Sequence, residues 1–355
     1  MNRFWSKQIE TLDPYIPGEQ PRDQRYIKLN TNENPYSPSP AVAAVIGDFE
    51  AGQLRRYPDP QSTDLVNALA DYHNLDTSQV FVGNGSDEVL AHAFQAFFRQ
   101  DYPILFPDIS YSFYPVYCAL YQIEYRQPAL DRDFCISIHD YAATNGGIII
   151  PNPNAPTGIA LETGEIRQLL ADNAESVVII DEAYVDFGAV SVCPLIPEFP
   201  NLLVVQTFSK SRSLAGLRLG YALGQQHLIE ALQRIKNSFN SYPINQLTSA
   251  IAIASLADEQ YFQQCRDKVM AARARLGIDL EKLGFEVFPS SSNFLFVRHQ
   301  DAAAESLYHE LKTAGILVRH FDAARLDNCL RISIGTDEEC DALVSALDAI
   351  LISTS

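Results

Sequence analysis

VFVGNGSDEVLAHAFQAFF, residues 80–98, holds the alternation that decides the fold. A strand-sized run of β-branched and aromatic residues meets a turn with Gly83 and Gly85, and a helix-sized segment follows from Asp87. Working outward, the same pairing recurs: 104–106 before 113–121, and 148–150 before 162–172. Strands alternating with helices in this way make βαβ units and a parallel sheet. The runs 177–180, 203–205 and 219–223 are nearly unbroken apolar segments, as expected of strands covered on both faces. Residues 41–243 therefore read as one large α/β domain.

The flanks read differently. Residues 1–40 are rich in Pro, Asn and Asp (LDPYIPGEQP, LNTNENPYSPSP), which favours an extended arm or a cleft-lining segment. After SYPIN, residues 241–245, come long helical stretches at 246–256 and 258–283, with Val269, Ala272 and Leu276 at helical spacing. Strands at 293–297 and 330–334 bracket a helix near 303–314, and a last helix covers 338–351. Residues 244–355 are thus expected to form a connecting helix and a small α+β domain.

Composition bounds the function. A chain of 355 residues, 47% of them hydrophobic, can bury a large core, which excludes disordered and fibrous classes. Lys and Arg total 26 against 44 Asp and Glu, a net charge of -18. Such a chain repels a phosphate backbone or an anionic lipid surface, so neither nucleic acid nor membrane is an expected partner. Its longest apolar runs fall short of the roughly 20 residues that a membrane span needs. Residues 1–10 lack the apolar stretch of a signal peptide, and the expectation is a cytoplasmic protein. Six cysteines without a CxxC pair read as reduced thiols, and dispersed histidines offer no metal ligand set.

Four segments carry chemistry. At residues 80–89 the helix following the glycine turn can hold a phosphate at Ser86 and Asp87. A dinucleotide fingerprint needs a third small residue where Glu88 stands, which disfavours a nicotinamide-dependent oxidoreductase. An ordinary capped turn explains the segment equally well. VVIIDEAYVDF ends a buried strand on Asp181, a carboxylate that either caps the next segment or pairs with a ring nitrogen that must stay protonated. In TFSKSRSLAGLRLGY, Ser209, Lys210 and Arg218 follow a strand, the setting for a Schiff-base lysine beside phosphate-binding groups. Alone, Lys210 would read as solvated surface. IIIPNPNAPTG is a strand entering a Pro-rich turn, alone a structural feature.

SKSRSLAGLRLG, NPNAPTG, DEAYVDF, LNTNENP and LRISIGT stand together in one order, and that order resembles the fold type I pyridoxal-phosphate aminotransferases, within them the histidinol-phosphate aminotransferases. The resemblance spans nearly the whole chain. It implies a large domain with a mixed, mostly parallel seven-stranded sheet between helices, and pyridoxal 5'-phosphate as cofactor. Lys210 would form the Schiff base and carry the proton, Asp181 would pair with the ring nitrogen, and Tyr184 would meet the ring oxygen. Gly85, Ser86, Asp87, Ser209 and Arg218 would hold the phosphate, Tyr111 would stack on the ring, and Tyr57 would reach across a homodimer. Where many relatives have an asparagine before Pro-Thr-Gly this chain has Ala155, so the ring-oxygen contact is expected to shift to Asn154 or Asn152 or to be lost, and Asn154 is the residue carried forward. Tyr15, Asn32, Arg319 and Arg331 would receive the substrate, the arginines its phosphate.

The implied reaction converts L-histidinol phosphate and 2-oxoglutarate to imidazole acetol phosphate and glutamate, a step of histidine biosynthesis. Aromatic amino acid aminotransferases and threonine-phosphate decarboxylases share these motifs and remain alternatives. A non-catalytic pyridoxal-phosphate-binding regulator would need a DNA-binding module for which this acidic chain has no spare N-terminal domain.

Overall fold

In the computed structural model, which describes residues 3–16, 18–21 and 23–354, the apolar runs pair into one central sheet. Residues 1, 2, 17 and 22 of the expected arm, and 355, lie outside the described residues. Strand β1 (Ile27–Lys28) and helices α1 (Pro40–Asp48) and α2 (Thr63–His73) precede β2 (Val80–Gly83), α3 (Ser86–Phe97), β3 (Ile104–Leu105), α4 (Tyr114–Tyr121) and β4 (Tyr125–Arg126). Next come β5 (Ile148–Pro151), α5 (Thr163–Asp172), β6 (Val178–Asp181), β7 (Leu202–Thr207), β8 (Gly220–Gly224) and α6 (Gln226–Phe239). The seven strands are ordered β2-β8-β7-β6-β5-β3-β4. Only β8 runs antiparallel to its neighbours, so the sheet is mixed and mostly parallel, as expected for fold type I.

Burial explains why these strands lack a polar face. Ile148, Ile150, Val178, Ile180 and Val204 pack on one side against α1, α2 and α5, while Ile149, Ile179, Leu203 and Val205 pack on the other against α3, α4 and α6. Side chains alternate across a strand, so a sheet covered twice must be apolar at every position. Each buried aliphatic side chain contributes about 1.5–3 kcal/mol. Strands β2, β3, β5, β6 and β7 all end on the same edge, where loops 84–85, 106–113, 152–158, 182–187 and 208–218 gather. Open α/β sheets bind ligands at that edge.

The rest of the chain comprises α7 (Gln246–Ala257), α8 (Glu259–Lys282), β9 (Phe285–Val287), β10 (Phe294–His299), α9 (Ala304–Thr313), β11 (Ile316–Leu317), β12 (Arg319–His320), β13 (Leu330–Ser333) and α10 (Asp337–Thr354). An antiparallel sheet, β12-β13-β10-β9, shares a core with α8, α9 and α10. The arm joins this unit: β1 pairs in parallel with β11, and Leu29 is buried in the same core. The boundary expected at 243/244 is displaced. Ile244, Ile251, Ala252 and Leu256 pack into the large core beside Leu65 and Leu69, so α7 belongs there and the chain crosses over in α8.

Candidate active site

Between the sheet edge and the smaller unit lies a cavity of about 720 Å³. Lys210, Tyr111 and Tyr184 line it from the large unit, Tyr15 and Asn32 from the arm, and Arg319 and Arg331 from the small sheet. Lys210 Nζ stands 5.3 Å from the centre of the Tyr184 ring. The backbone carrying it is braced: Asn34 Nδ2 donates to the carbonyls of Lys210 and Ser211 at 3.3 and 3.1 Å, and the Ser211 hydroxyl donates to the partly buried Asp186 carboxylate.

Asp181 closes β6 and is 5% exposed. Its Oδ2 accepts the Tyr114 hydroxyl at 2.8 Å and its Oδ1 the Ala183 N–H at 3.2 Å. Burial pushes its pKa up to about 6, an effect that these two hydrogen bonds only partly offset. No cation bonds this carboxylate among the described residues, and a protonated ring nitrogen is the partner that would relieve it. Tyr114 was not singled out in the sequence. The signal available was the spacing of Tyr114, Tyr117 and Tyr121 on one face of α4, where Tyr117 also donates to the Asp87 carbonyl at 2.9 Å.

Behind Tyr111 the phosphate-binding candidates cluster. Asp87 accepts from Tyr111 at 2.9 Å and from Arg218 Nη2 at 3.1 Å, placing the guanidinium at the start of α3. No side chain caps that helix start. Ser209 Oγ takes a 3.0 Å hydrogen bond from Thr207. Two glycines make the cluster possible. Gly85 has φ +83, and a Cβ there would stand 2.6 Å from Arg218 Nη2; at Gly220 a Cβ would stand 2.3 Å from the Ser86 nitrogen. Gly220→Ala should therefore force β8 and α3 apart, weakening cofactor binding at least tenfold and costing about 1–3 kcal/mol of stability. Cofactor titration and thermal melting check this outcome.

Arg319 and Arg331 are register partners on β12 and β13, both facing the cavity. Arg319 thus lies on a strand. Arg331 Nη2 donates to Asn30 O at 3.0 Å, but its buried Nε has no acceptor. Burial, with Arg319 alongside, holds the Arg331 guanidinium below its ordinary pKa. Two adjacent cations, one short of an acceptor, make a site for a multiply charged anion.

Two expected contacts, those of Asn154 and Asn32, are placed differently. Asn154 does not line the cavity: its Nδ2 is committed to Ile109 O and Thr157 Oγ1 at 3.0 and 3.1 Å, and Ala155 and Pro156 form the wall instead. Its Oδ1 could not donate to a ring oxygen in any case. Asn32 reaches the cavity, yet its amide is spent within the protein on Tyr184 and Ser333. Tyr57 is 81% exposed and stacks on Tyr242 at 4.8 Å, away from the cavity of its own chain.

A buried carboxylate with no cation bonded to it, a lysine on the cavity wall whose charge that carboxylate feels, and an arginine at a glycine-shaped helix start fit pyridoxal 5'-phosphate at its ring nitrogen, aldehyde carbon and phosphate. Fold and site together define a pyridoxal-phosphate-dependent enzyme acting on amines. Residues 24–347 match the aminotransferase class I and II family. Histidinol-phosphate aminotransferase of Chromohalobacter salexigens is 57% identical, with 99% of each chain covered. Histidinol-phosphate aminotransferase 1 of Hydrogenovibrio crunogenus is 55% identical, again with 99% of each covered. The crystal structure of the Sinorhizobium meliloti histidinol-phosphate aminotransferase, in complex with pyridoxal-5'-phosphate, superposes with a TM-score of 0.89 over 99% of both chains at 24% identity, a likeness of fold. The chain belongs to the histidinol-phosphate aminotransferases of the class I and II aminotransferase family.

Proposed function

We propose that the protein moves the amino group of L-histidinol phosphate to 2-oxoglutarate, giving imidazole acetol phosphate and glutamate. The observation that carries this reading is the Arg319–Arg331 pair, with a buried Nε awaiting an acceptor. When bound, pyridoxal 5'-phosphate supplies an electron-withdrawing ring that stabilises negative charge on the substrate carbon bearing nitrogen. Asp181 would keep the ring nitrogen protonated. Tyr184 receives the Asn32 amide on its oxygen, so its own O–H is free to donate to the ring oxygen. Ser209, Arg218 and the amides of Ser86 and Asp87 would hold the cofactor phosphate, and Tyr111 would stack on the ring. Lys210 Nζ takes a proton from the substrate carbon and returns one, the general acid–base step. Tyr15 stands 4.8 Å from Phe113 and 6.4 Å from Tyr111, an aromatic wall for a planar ring. Imidazole and phenyl rings both suit such a wall, so selection falls to the arginines.

Arg331→Ala should raise the Michaelis constant for histidinol phosphate about 10- to 100-fold, the worth of a charge-assisted bond to phosphate, with little change for unphosphorylated histidinol. Equal effects on the two amines would remove the phosphate role.

The same proposal makes the enzyme a cytoplasmic homodimer in which Tyr57 of one subunit enters the other's site. Its exposure, the half-exposed Arg218 and Asp87 side chains, and six unpaired cysteines support that arrangement. An active monomer in sedimentation would contradict it. Among the described residues no helix is long and apolar enough to cross a membrane.

A further inference from the structure

A tyrosine hydroxyl has one proton to give and lone pairs with which to accept. At Tyr184 a lone pair is taken by Asn32 Nδ2, which donates over 2.9 Å. That amide is itself oriented. Its Oδ1 accepts the Ser333 hydroxyl proton at 2.9 Å, and Ser333 Oγ accepts the Asn32 backbone N–H at 2.9 Å. Asn293 Nδ2 donates to Asn32 O at 3.0 Å, completing a buried polar cluster. Asn32 has φ 55, a left-handed conformation that asparagine tolerates better than most residues.

The protons therefore run one way. Asn32 N–H points to Ser333, Ser333 O–H to Asn32 Oδ1, and Asn32 Nδ2–H to Tyr184, which leaves the Tyr184 O–H for the cavity. Turning the Asn32 amide over would set a carbonyl against Tyr184, drawing its proton away from the cavity. It would also set an NH2 group against Ser333 Oγ and take away the Asn32 oxygen that accepts the Ser333 proton. Ser333 thus decides which end of the Asn32 amide the tyrosine meets.

We propose that Ser333 and Asn32 are positioning residues that aim the Tyr184 proton at the cofactor's ring oxygen. The tie also joins that oxygen to the substrate arginine. Ser333 follows Arg331 by two residues on β13, and Arg331 holds the carbonyl of Asn30, two residues before Asn32. The assignment rests on Tyr184 facing the ring oxygen, as proposed above, and is independent of which amine is the substrate.

The test is a pH titration of the visible absorption of the holoenzyme, read without substrate. A hydrogen bond to the ring oxygen favours its ionised form, so Tyr184→Phe should move the midpoint by about half to one pH unit. Ser333→Ala should move it in the same direction. So should the isosteric Asn32→Asp, whose carboxylate accepts the tyrosine proton, whereas Ser333→Thr keeps the hydroxyl and should retain the wild-type midpoint. In a Tyr184→Phe background Ser333→Ala should add nothing, because the two act through one bond. A merely structural role would lower the melting temperature and leave the midpoint in place. Unmoved midpoints in Ser333→Ala and Asn32→Asp, with Tyr184→Phe shifted, would overturn the positioning role alone. An unmoved midpoint in Tyr184→Phe would overturn the Tyr184 assignment and the relay with it.

Discussion

Lys210→Ala should lower turnover by about 10²- to 10⁴-fold through loss of general acid–base catalysis alone. Borohydride should no longer fix the cofactor to the chain. Lys210 is the one lysine among the described residues that line the cavity, so no second amine there stands ready to replace it. The defect should be in kcat more than in KM, because the arginines that bind the substrate are untouched. Small primary amines added to the Lys210→Ala protein should restore part of the rate by carrying the missing proton. Single-turnover absorbance measurements with and without such an amine check both statements. A variant still fixed to cofactor by borohydride at the same site would transfer the role to another residue.

Much of this arrangement was legible because the deciding features are local. A run of buried β-branched residues ending in Asp181 announces a strand and a carboxylate in need of a partner within eleven letters. The same holds for the glycine turn before α3 and for the serines around Lys210. What stayed illegible was set by distant contacts. Nothing within NPNAPTG says which asparagine turns its amide outward; Asn154 is turned inward by the carbonyl of Ile109, 45 residues away. Asn32 is drawn from substrate contact to support of Tyr184 by Ser333, 301 residues on. The boundary near 243 failed for a related reason. The apolar face of α7 shows that the helix is buried, but not on which of two cores, and Leu65 and Leu69 of α2 supply the answer. Tyr114 was hidden by its own character: a tyrosine on an apolar helix reads as core until the carboxylate that its hydroxyl reaches is known.

Asp181→Asn should move stability and activity in opposite directions. In the folded protein the Asp181 pKa is raised from the ordinary 3.8 to about 6, chiefly by burial. A carboxyl whose folded pKa is raised contributes no penalty below the unfolded value, and an increasing one as pH climbs toward the folded value. A rise of about two units corresponds to about 3 kcal/mol above pH 6. The cofactor-free Asp181→Asn protein should therefore be more stable than wild type at pH 8 by up to that amount, with the advantage gone near pH 4. Asparagine keeps an oxygen to accept the Ala183 N–H, and its NH2 can donate to the Tyr114 hydroxyl oxygen, so both contacts can persist while the charge is removed. Turnover should fall about 10²- to 10³-fold, because the ring nitrogen loses the group that keeps it protonated. Cofactor binding should also stabilise wild type more than the variant, by a margin that widens as pH rises through 6, since only the carboxylate gains a cationic partner. Thermal melting of both proteins, with and without cofactor at pH 5 and pH 8, reads all of these signs. A cofactor-free variant melting below wild type at pH 8 would mean that Asp181 is held by its hydrogen bonds as a structural carboxylate, and its pairing with the ring would lose its physical basis.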